Sequence, residues 1–390
     1  MGCMGPLSGV KVVELAGLGP VPFACMLLAE LGADVIRVDR PGGGLMMGPP
    51  EYELLNRGRR SVALDLKHPA GAGTVLRLAA QADVLVEGFR PGVAERLGLG
   101  PDECHAVNPK LVYGRMTGWG QDGPLAQTAG HDIDYLALSG ALHLIGRAGG
   151  PPQVPANLLG DFAGGSLYLV IGILAALVEA RGSGQGQVVD AAIVDGSAHL
   201  TTMLLGALAA GTWKQERGTN LLDTGAPHYD VYETADGKHM AVGALEPQFY
   251  DELIQRLDLN PPDRNDLANW PDLRKVLTET FAQRTQAEWT ELFDGSDACV
   301  APVLPLAGDH PHLVARGIFI EKDGIRQAAP APRFSRTPSA LGEPPARPGR
   351  HTREALTDWG IPDVDELLRT GAAVQDTGDA VQDTGDAVQN

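Results

Sequence analysis

Three carboxylates and an imidazole stand out by type and setting: His131 with Asp132 in GHDIDY, Asp161 in NLLGDFAGG and Glu246 in GALEPQF. Imidazole and carboxyl groups can carry a proton near neutral pH. Two of them on opposite faces of one carbon can remove a proton from one side and return it from the other. That is the equipment for inverting a stereocentre next to a carbonyl. His131 opens a helical pattern through Leu136, Leu138 and Leu142. A helix start leaves backbone N–H groups free and favours negative charge. The N–H of Asp132 is therefore a candidate donor to a carbonyl oxygen as it gains enolate character.

Each residue also has a plainer reading. A histidine at a helix start is often structural, and a Glu before Pro is ordinarily solvated. Asp161 precedes an apolar helix pattern, Phe162 to Glu179, and could be its N-cap, a role worth about 1 kcal/mol. Gly164 and Gly165 argue for more, because they leave room for a ligand against the backbone.

A second set of residues suits phosphate. Arg37 ends a predicted second strand, Arg57, Arg59 and Arg60 precede a third, and Gly88 and Arg90 lie in EGFRPG after a fourth. The carboxyl ends of parallel strands form the ligand crevice of open α/β sheets, and guanidinium binds phosphate bidentately. The loop Ala16 to Pro22 nearly matches GxGxxG, with Asp39 about twenty residues on. Pro22 occupies the third glycine position, so a nicotinamide site is disfavoured.

These residues need a scaffold, and the hydrophobic pattern supplies one. Val10 to Leu15 reads as a strand, Pro22 to Leu31 as a helix and Asp34 to Val38 as a second strand, a right-handed βαβ unit. The pattern repeats through Ser61 to Asp65, a helix from Pro69 to Gln81, Asp83 to Glu87 and Leu111 to Met116, which predicts a doubly wound parallel sheet. A strand VVDAAIVD follows GSGQGQ. Asp236-Gly237, between Tyr229 to Glu233 and Lys238 to Val242, predicts a β-hairpin, with helices at Gln248 to Leu257 and Gln286 to Phe293. The expected organisation is a large α/β domain over 1–200, a linker over 201–225 and an inserted α+β domain over 226–320. A Pro-rich return segment and C-terminal helices occupy 321–370. The heptapeptide AVQDTGD at Ala373 repeats at Ala380 and begins a third time at Ala387, with one sizeable apolar side chain per repeat. Residues 371–390 are therefore expected to be a disordered acidic tail.

Composition narrows the partners. With 390 residues, two domains are the natural expectation. Thirty-one basic against 49 acidic residues give a net charge of −18. That argues against nucleic acid and anionic membrane surfaces. No apolar run reaches the ~20 residues of a membrane span. The opening MGCMGPLSG lacks the regions of a secretion signal, and the end AVQN carries no peroxisomal address, so the cytoplasm is expected. Cys3, Cys25, Cys104 and Cys299 are scattered, as in a reduced protein. No His/Cys/Asp cluster has metal-ligand spacing, and no metal is implied.

From Leu7 to about Ile361 the chain resembles the alpha-methylacyl-CoA racemases, members of the family III CoA-transferases. The resemblance rests on TGWGQDGPLAQTAGHDIDY, NLLGDFAGG, GALEPQFY, VIRVDRPGG, NRGRRS and FRPG. It implies a Rossmann-like large domain with an inserted smaller domain, in an interlocked homodimer. His131 and Asp161 would be the two bases, and Glu246 would hydrogen-bond His131. Coenzyme A would arrive as part of the substrate, with no other cofactor, held by segments containing Arg37, Arg57, Arg59, Arg60, Gly88 and Arg90. The implied activity is epimerisation of 2-methyl-branched acyl-CoA in fatty acid metabolism. Leu45-Met46-Met47, Leu204 to Leu208 and Leu221-Leu222 are candidate acyl-contacting segments. Two alternatives stand beside it: a CoA-transferase with Asp161 as covalent nucleophile, and a CoA-binding protein without chemistry.

Overall fold

A computed structural model describes residues 5–44 and 48–378. They divide into two compact units. The first comprises the chain up to Leu136, Asn157–His199 and the chain from Ala329; the second comprises Ala137–Ala156 and Leu200–Ala328.

The first unit is built on a sheet of seven strands: β1 (Lys11–Leu15), β2 (Asp34–Asp39), β3 (Arg60–Leu64), β4 (Val84–Glu87), β5 (Val112–Thr117), β6 (Val188–Ala192) and β12 (Ala373–Val374). Their order is β12-β3-β2-β1-β4-β5-β6. Neighbours among β1 to β6 run parallel, and β12 pairs antiparallel with β3. Such strands read as continuous apolar runs because both faces of the sheet are covered. The pleat divides them: Val13, Leu15 and Leu85 join one core cluster with Trp359 and Leu356. Val12, Val84 and Val86 join the other with Cys25, Leu28 and Ile173. The strand order reverses between β1 and β4, and in an open α/β sheet that switch point opens a crevice at the carboxyl ends.

The second unit carries the antiparallel sheet β7-β8-β9, made of Tyr229–Glu233, His239–Gly243 and Val300–Pro302. The first hairpin turns at Asp236-Gly237 as expected, with φ of 71° at Gly237. Helices Pro247–Arg256, Trp270–Phe281 and Gln286–Phe293 supply the rest of a core centred on Phe281, which stacks on Tyr232 with centroids 5.3 Å apart. A second hairpin, β10 (Phe319–Lys322) with β11 (Ile325–Ala328), closes this unit.

Several boundaries differ from expectation. The stretch 201–225 is no linker: it belongs to the second unit and contains the helix Thr202–Ala209. The segment 371–390 is not wholly a tail. Ala372 and Ala373 are buried, Asp65 donates its N–H to the Ala372 carbonyl at 3.0 Å, and Ala373 pairs with Leu64 in β3. One small residue and one Val suffice there, because an edge strand draws its stability from the ladder. The repeats from Asp379 onward lie outside the described residues, as does Leu45-Met46-Met47. The strand after GSGQGQ stops at Ala192 and continues as the helix Ile193–Leu200.

The expectation about apolar length is also corrected. Leu158–Ser183 is helical over 26 residues and contains an 18-residue window with a mean hydropathy of 1.9, long and apolar enough to cross a membrane, and 44% of that window is buried within the protein. Leu169, Val170, Ile173, Ala176 and Leu177 pack onto the sheet. A core helix of a folded domain meets the same length and composition criteria.

Candidate active site

The loop after β5 prepares His131. Gly120 and Gly123 both adopt φ of 94°, a conformation open chiefly to glycine. Gly118 is required by proximity, since a Cβ there would stand 1.9 Å from the Tyr135 ring. That ring meets Trp119 edge-on at 4.7 Å, and its hydroxyl donates to the Gly130 carbonyl, which fixes the residue before His131. The His131 N–H donates to Oδ2 of Asp134 at 3.0 Å, and its carbonyl accepts the Asp134 N–H at 2.9 Å. The helix Asp132–Ser139 follows, so His131 stands exposed at a helix start. The backbone N–H of Asp132 has no partner among the described residues.

Asp161 lies in the first turn of a π-helix, Leu158–Ser166, that runs directly into the α-helix Leu167–Ser183. It is therefore not an N-cap. Asn157, one turn earlier, places Nδ2 3.4 Å from Asp161 Oδ2. A Cβ on Gly19, in the loop after β1, would stand 3.2 Å from Asp161 Oδ2. Burial pushes the Asp161 carboxyl above its ordinary value; the Asn157 amide opposes this, the Asp132 carboxylate adds to it, and the His131 imidazole lowers it. A carboxyl with raised proton affinity in the field of an imidazole is suited to giving and taking a proton.

The Asp132 side chain turns inward rather than toward a substrate. It is 9% exposed, and Oδ1 accepts the Asp161 N–H at 2.7 Å. His131, Asp132 and Asp161 are thus gathered in one unit. Glu246 belongs to the other unit, exposed immediately before the helix Pro247–Arg256, and its carboxylate caps no backbone N–H there.

The arginines separate sharply. Arg59 pairs with Glu14, both side chains fully buried. Arg57 pairs with Glu30 at 2.6 Å, also in the interior. Arg37 is buried, donating to Asp39 at 2.9 Å and to the Ala346 carbonyl at 3.2 Å. Arg60 bonds both oxygens of Asp34 at 2.9 Å and Asp358 at 2.8 Å, at the amino ends of β2 and β3 and so opposite the crevice. Each of these four meets an acid of the protein itself. Glu14 in KVVEL and Glu30 in MLLAE, acids set in apolar elements, were the signal that buried bases were needed. Arg90 is different: it is exposed in the loop after β4, on the crevice side. Gly88 in that loop lets it meet the helix Pro20–Glu30, since a Cβ would stand 2.8 Å from Val21. Gly19 lies in the loop Ala16 to Pro22 that the sequence already marks, whereas Asn157 and Tyr135 carry no such mark. For Asn157 the four-residue spacing to Asp161 on one helix was the available sign.

A parallel α/β sheet with a reversal between β1 and β4, an inserted second unit, and an imidazole and carboxyl at one loop cluster define the class. The chain belongs to CoA-transferase family III, whose model matches residues 7–352. It is 48% identical to the alpha-methylacyl-CoA racemase of Mus musculus over 93% of this chain and 95% of the relative, and 47% identical to that of Homo sapiens over 91% and 94%. It is 31% identical to the human succinyl-CoA:glutarate CoA-transferase over 95% of this chain and 90% of the relative. The crystal structure of a CaiB/BaiF family protein from Brucella suis superposes with a TM-score of 0.79 at 28% identity, covering 91% of this chain and 99% of that one.

Proposed function

We propose that the chain is a racemase that inverts the α-carbon of 2-methyl-branched acyl-CoA thioesters by two-base 1,1-proton transfer through an enolate. The CoA portion lies at the carboxyl ends of β1 and β4, with Arg90 toward its phosphates. The thioester oxygen accepts the free Asp132 N–H. For one enantiomer the neutral His131 imidazole removes the α-proton, the electron pair moves onto the thioester oxygen as an enolate, and protonated Asp161 delivers a proton to the opposite face. The other enantiomer runs the same path in reverse. The observation that carries this reading is the half-buried Asp161 carboxyl, raised in proton affinity, within the electrostatic reach of His131. The greater identity to racemases than to transferases supports it.

In this proposal CoA travels with the substrate and no further cofactor is required, and the enzyme serves lipid metabolism in the cytoplasm. It works as an interlocked homodimer, without nucleic acid or membrane partners. Exposed apolar side chains in each unit, Ile171 and Val178 in the first and Met203 and Leu205 in the second, suit coverage by another copy. Glu246 then reaches His131 of the partner subunit, setting its tautomer and stabilising its cationic form. Leu221 and Leu222, both exposed, remain candidates for acyl contact.

The second reading, covalent CoA transfer through Asp161, is favoured by the 31% identity to a CoA-transferase over nearly the full chain. Incubation of each 2-methylacyl-CoA enantiomer in deuterated water, with and without a free carboxylic acid, separates the two. Epimerisation with α-deuterium incorporation and no acceptor is expected. CoA exchange into the acid, or a hydroxylamine-trapped adduct on Asp161, would overturn the isomerase.

A further inference from the structure

The strongest unexplained feature near the site is the inward-turned carboxylate of Asp132. Its Oδ1 accepts the Asp161 N–H at 2.7 Å. A Cβ on residue 160 would stand 2.3 Å from Asp132 Oδ1, so this turn is glycine to admit the carboxylate. The other oxygen, Oδ2, is buried without a partner. Burying a carboxylate this way is unfavourable unless the contacts it makes matter.

The segment it grips is a π-helix, a winding found mostly as short local distortions at functional sites. In the first turn of any helix the N–H groups have no intrahelical acceptor. Asp132 supplies one for Asp161. At the far side of the same residue, the Ser166 hydroxyl lies 3.0 Å from the Asp161 carbonyl and 2.8 Å from that of Pro20. The backbone of Asp161 is therefore held at both its N–H and its C=O. Asp132 directly follows His131, so one carboxylate ties the backbone carrying the imidazole to the backbone carrying the opposing carboxyl.

We infer that the Asp132 side chain is a positioning residue that fixes the separation of His131 and Asp161. It touches no substrate; its N–H and its carboxylate do different work. The inference rests on the two-base reading above.

The test uses Asp132→Ala and the milder Asp132→Asn, which keeps a neutral acceptor, in the full-length protein. Native amide exchange is read on the peptide spanning Asn157 to Ser166. Loss of a charge-assisted hydrogen bond should speed exchange at the Asp161 amide by about tenfold or more in Asp132→Ala. In parallel, α-proton exchange of each 2-methylacyl-CoA enantiomer is measured in deuterated water. Asp161→Ala identifies the enantiomer that Asp161 deprotonates. Asp132→Ala should slow exchange of that enantiomer by ~10–100-fold, with KM and exchange of the other enantiomer near wild type. Asp132→Asn should recover part of the loss, and it carries the test if the alanine variant does not fold. Equal losses for both enantiomers, or an unaccelerated Asp161 amide, would overturn the inference. Should the wild-type protein exchange neither α-proton, the isomerase reading fails, while amide exchange still judges the Asp132 contact.

Discussion

A Cβ placed on Gly19 would stand 3.2 Å from Oδ2 of Asp161. Gly19 adopts φ of 61° with ψ of −103°, a backbone that other residues enter at a cost of ~1–3 kcal/mol. Gly19→Ala therefore strains the turn and presses on the candidate acid. It should lower kcat by about tenfold or more and lower the thermal midpoint. Steady-state kinetics beside calorimetry check this; wild-type kcat with only a lower midpoint would detach Gly19 from the chemistry.

Asp161 predicts a trade of stability against activity. Burial raises its folded pKa above the ordinary 3.8, so the folded protein binds this proton more tightly than the unfolded chain does. Stability is then lost as pH rises from about 3.8 through the raised value, and the loss is constant above it. Asp161→Asn removes that titration. The variant should lose turnover by ~10²–10⁴-fold, yet melt higher than wild type at neutral pH, with the two midpoints converging as pH falls toward 3.8.

Glu246→Gln keeps size and a hydrogen-bonding group while removing charge. If the carboxylate stabilises the His131 imidazolium, turnover falls and the limb of the pH–rate profile governed by that imidazole moves to lower pH. An unshifted profile would leave Glu246 as a solvated residue at a helix start.

Arg59 and Arg90 should fail in opposite ways. Arg59→Ala strands Glu14 in the interior, a loss of about 3–5 kcal/mol that denaturant titration would register. Arg90→Ala should leave the fold intact and raise KM for acyl-CoA by about tenfold. A fully stable Arg59→Ala protein would contradict the interior pairing.

The end of the chain is divided by β12. Truncation after Gly378 should preserve thermal midpoint and turnover. Truncation after Gly371 removes the pairing of Ala373 and Val374 with β3 and the 2.7 Å bond from the Thr352 hydroxyl to the Val374 carbonyl. It should lower the midpoint measurably, and equal midpoints for the two truncations would show that the strand contributes nothing.

The sequence alone determined the parallel α/β sheet, the Asp236-Gly237 hairpin and the local settings of His131, Asp161 and Glu246. These are short-range properties: apolar periodicity, glycine at left-handed positions and proline at helix starts act within a few residues. The tertiary structure decided what depends on partners far apart in the chain. Five arginines looked alike by spacing, and only folding set four of them against Glu14, Glu30, Asp39 and Asp34 while leaving Arg90 exposed, because the acids they meet lie far off in the chain or on neighbouring strands. Ala373-Val374 reads as tail because its apolar content is slight, and its order comes from the hydrogen-bonding edge that β3 presents. Asp132 read as a backbone donor beside His131. Its carboxylate acquired a role only when folding brought Asp161, 29 residues along the chain, onto it.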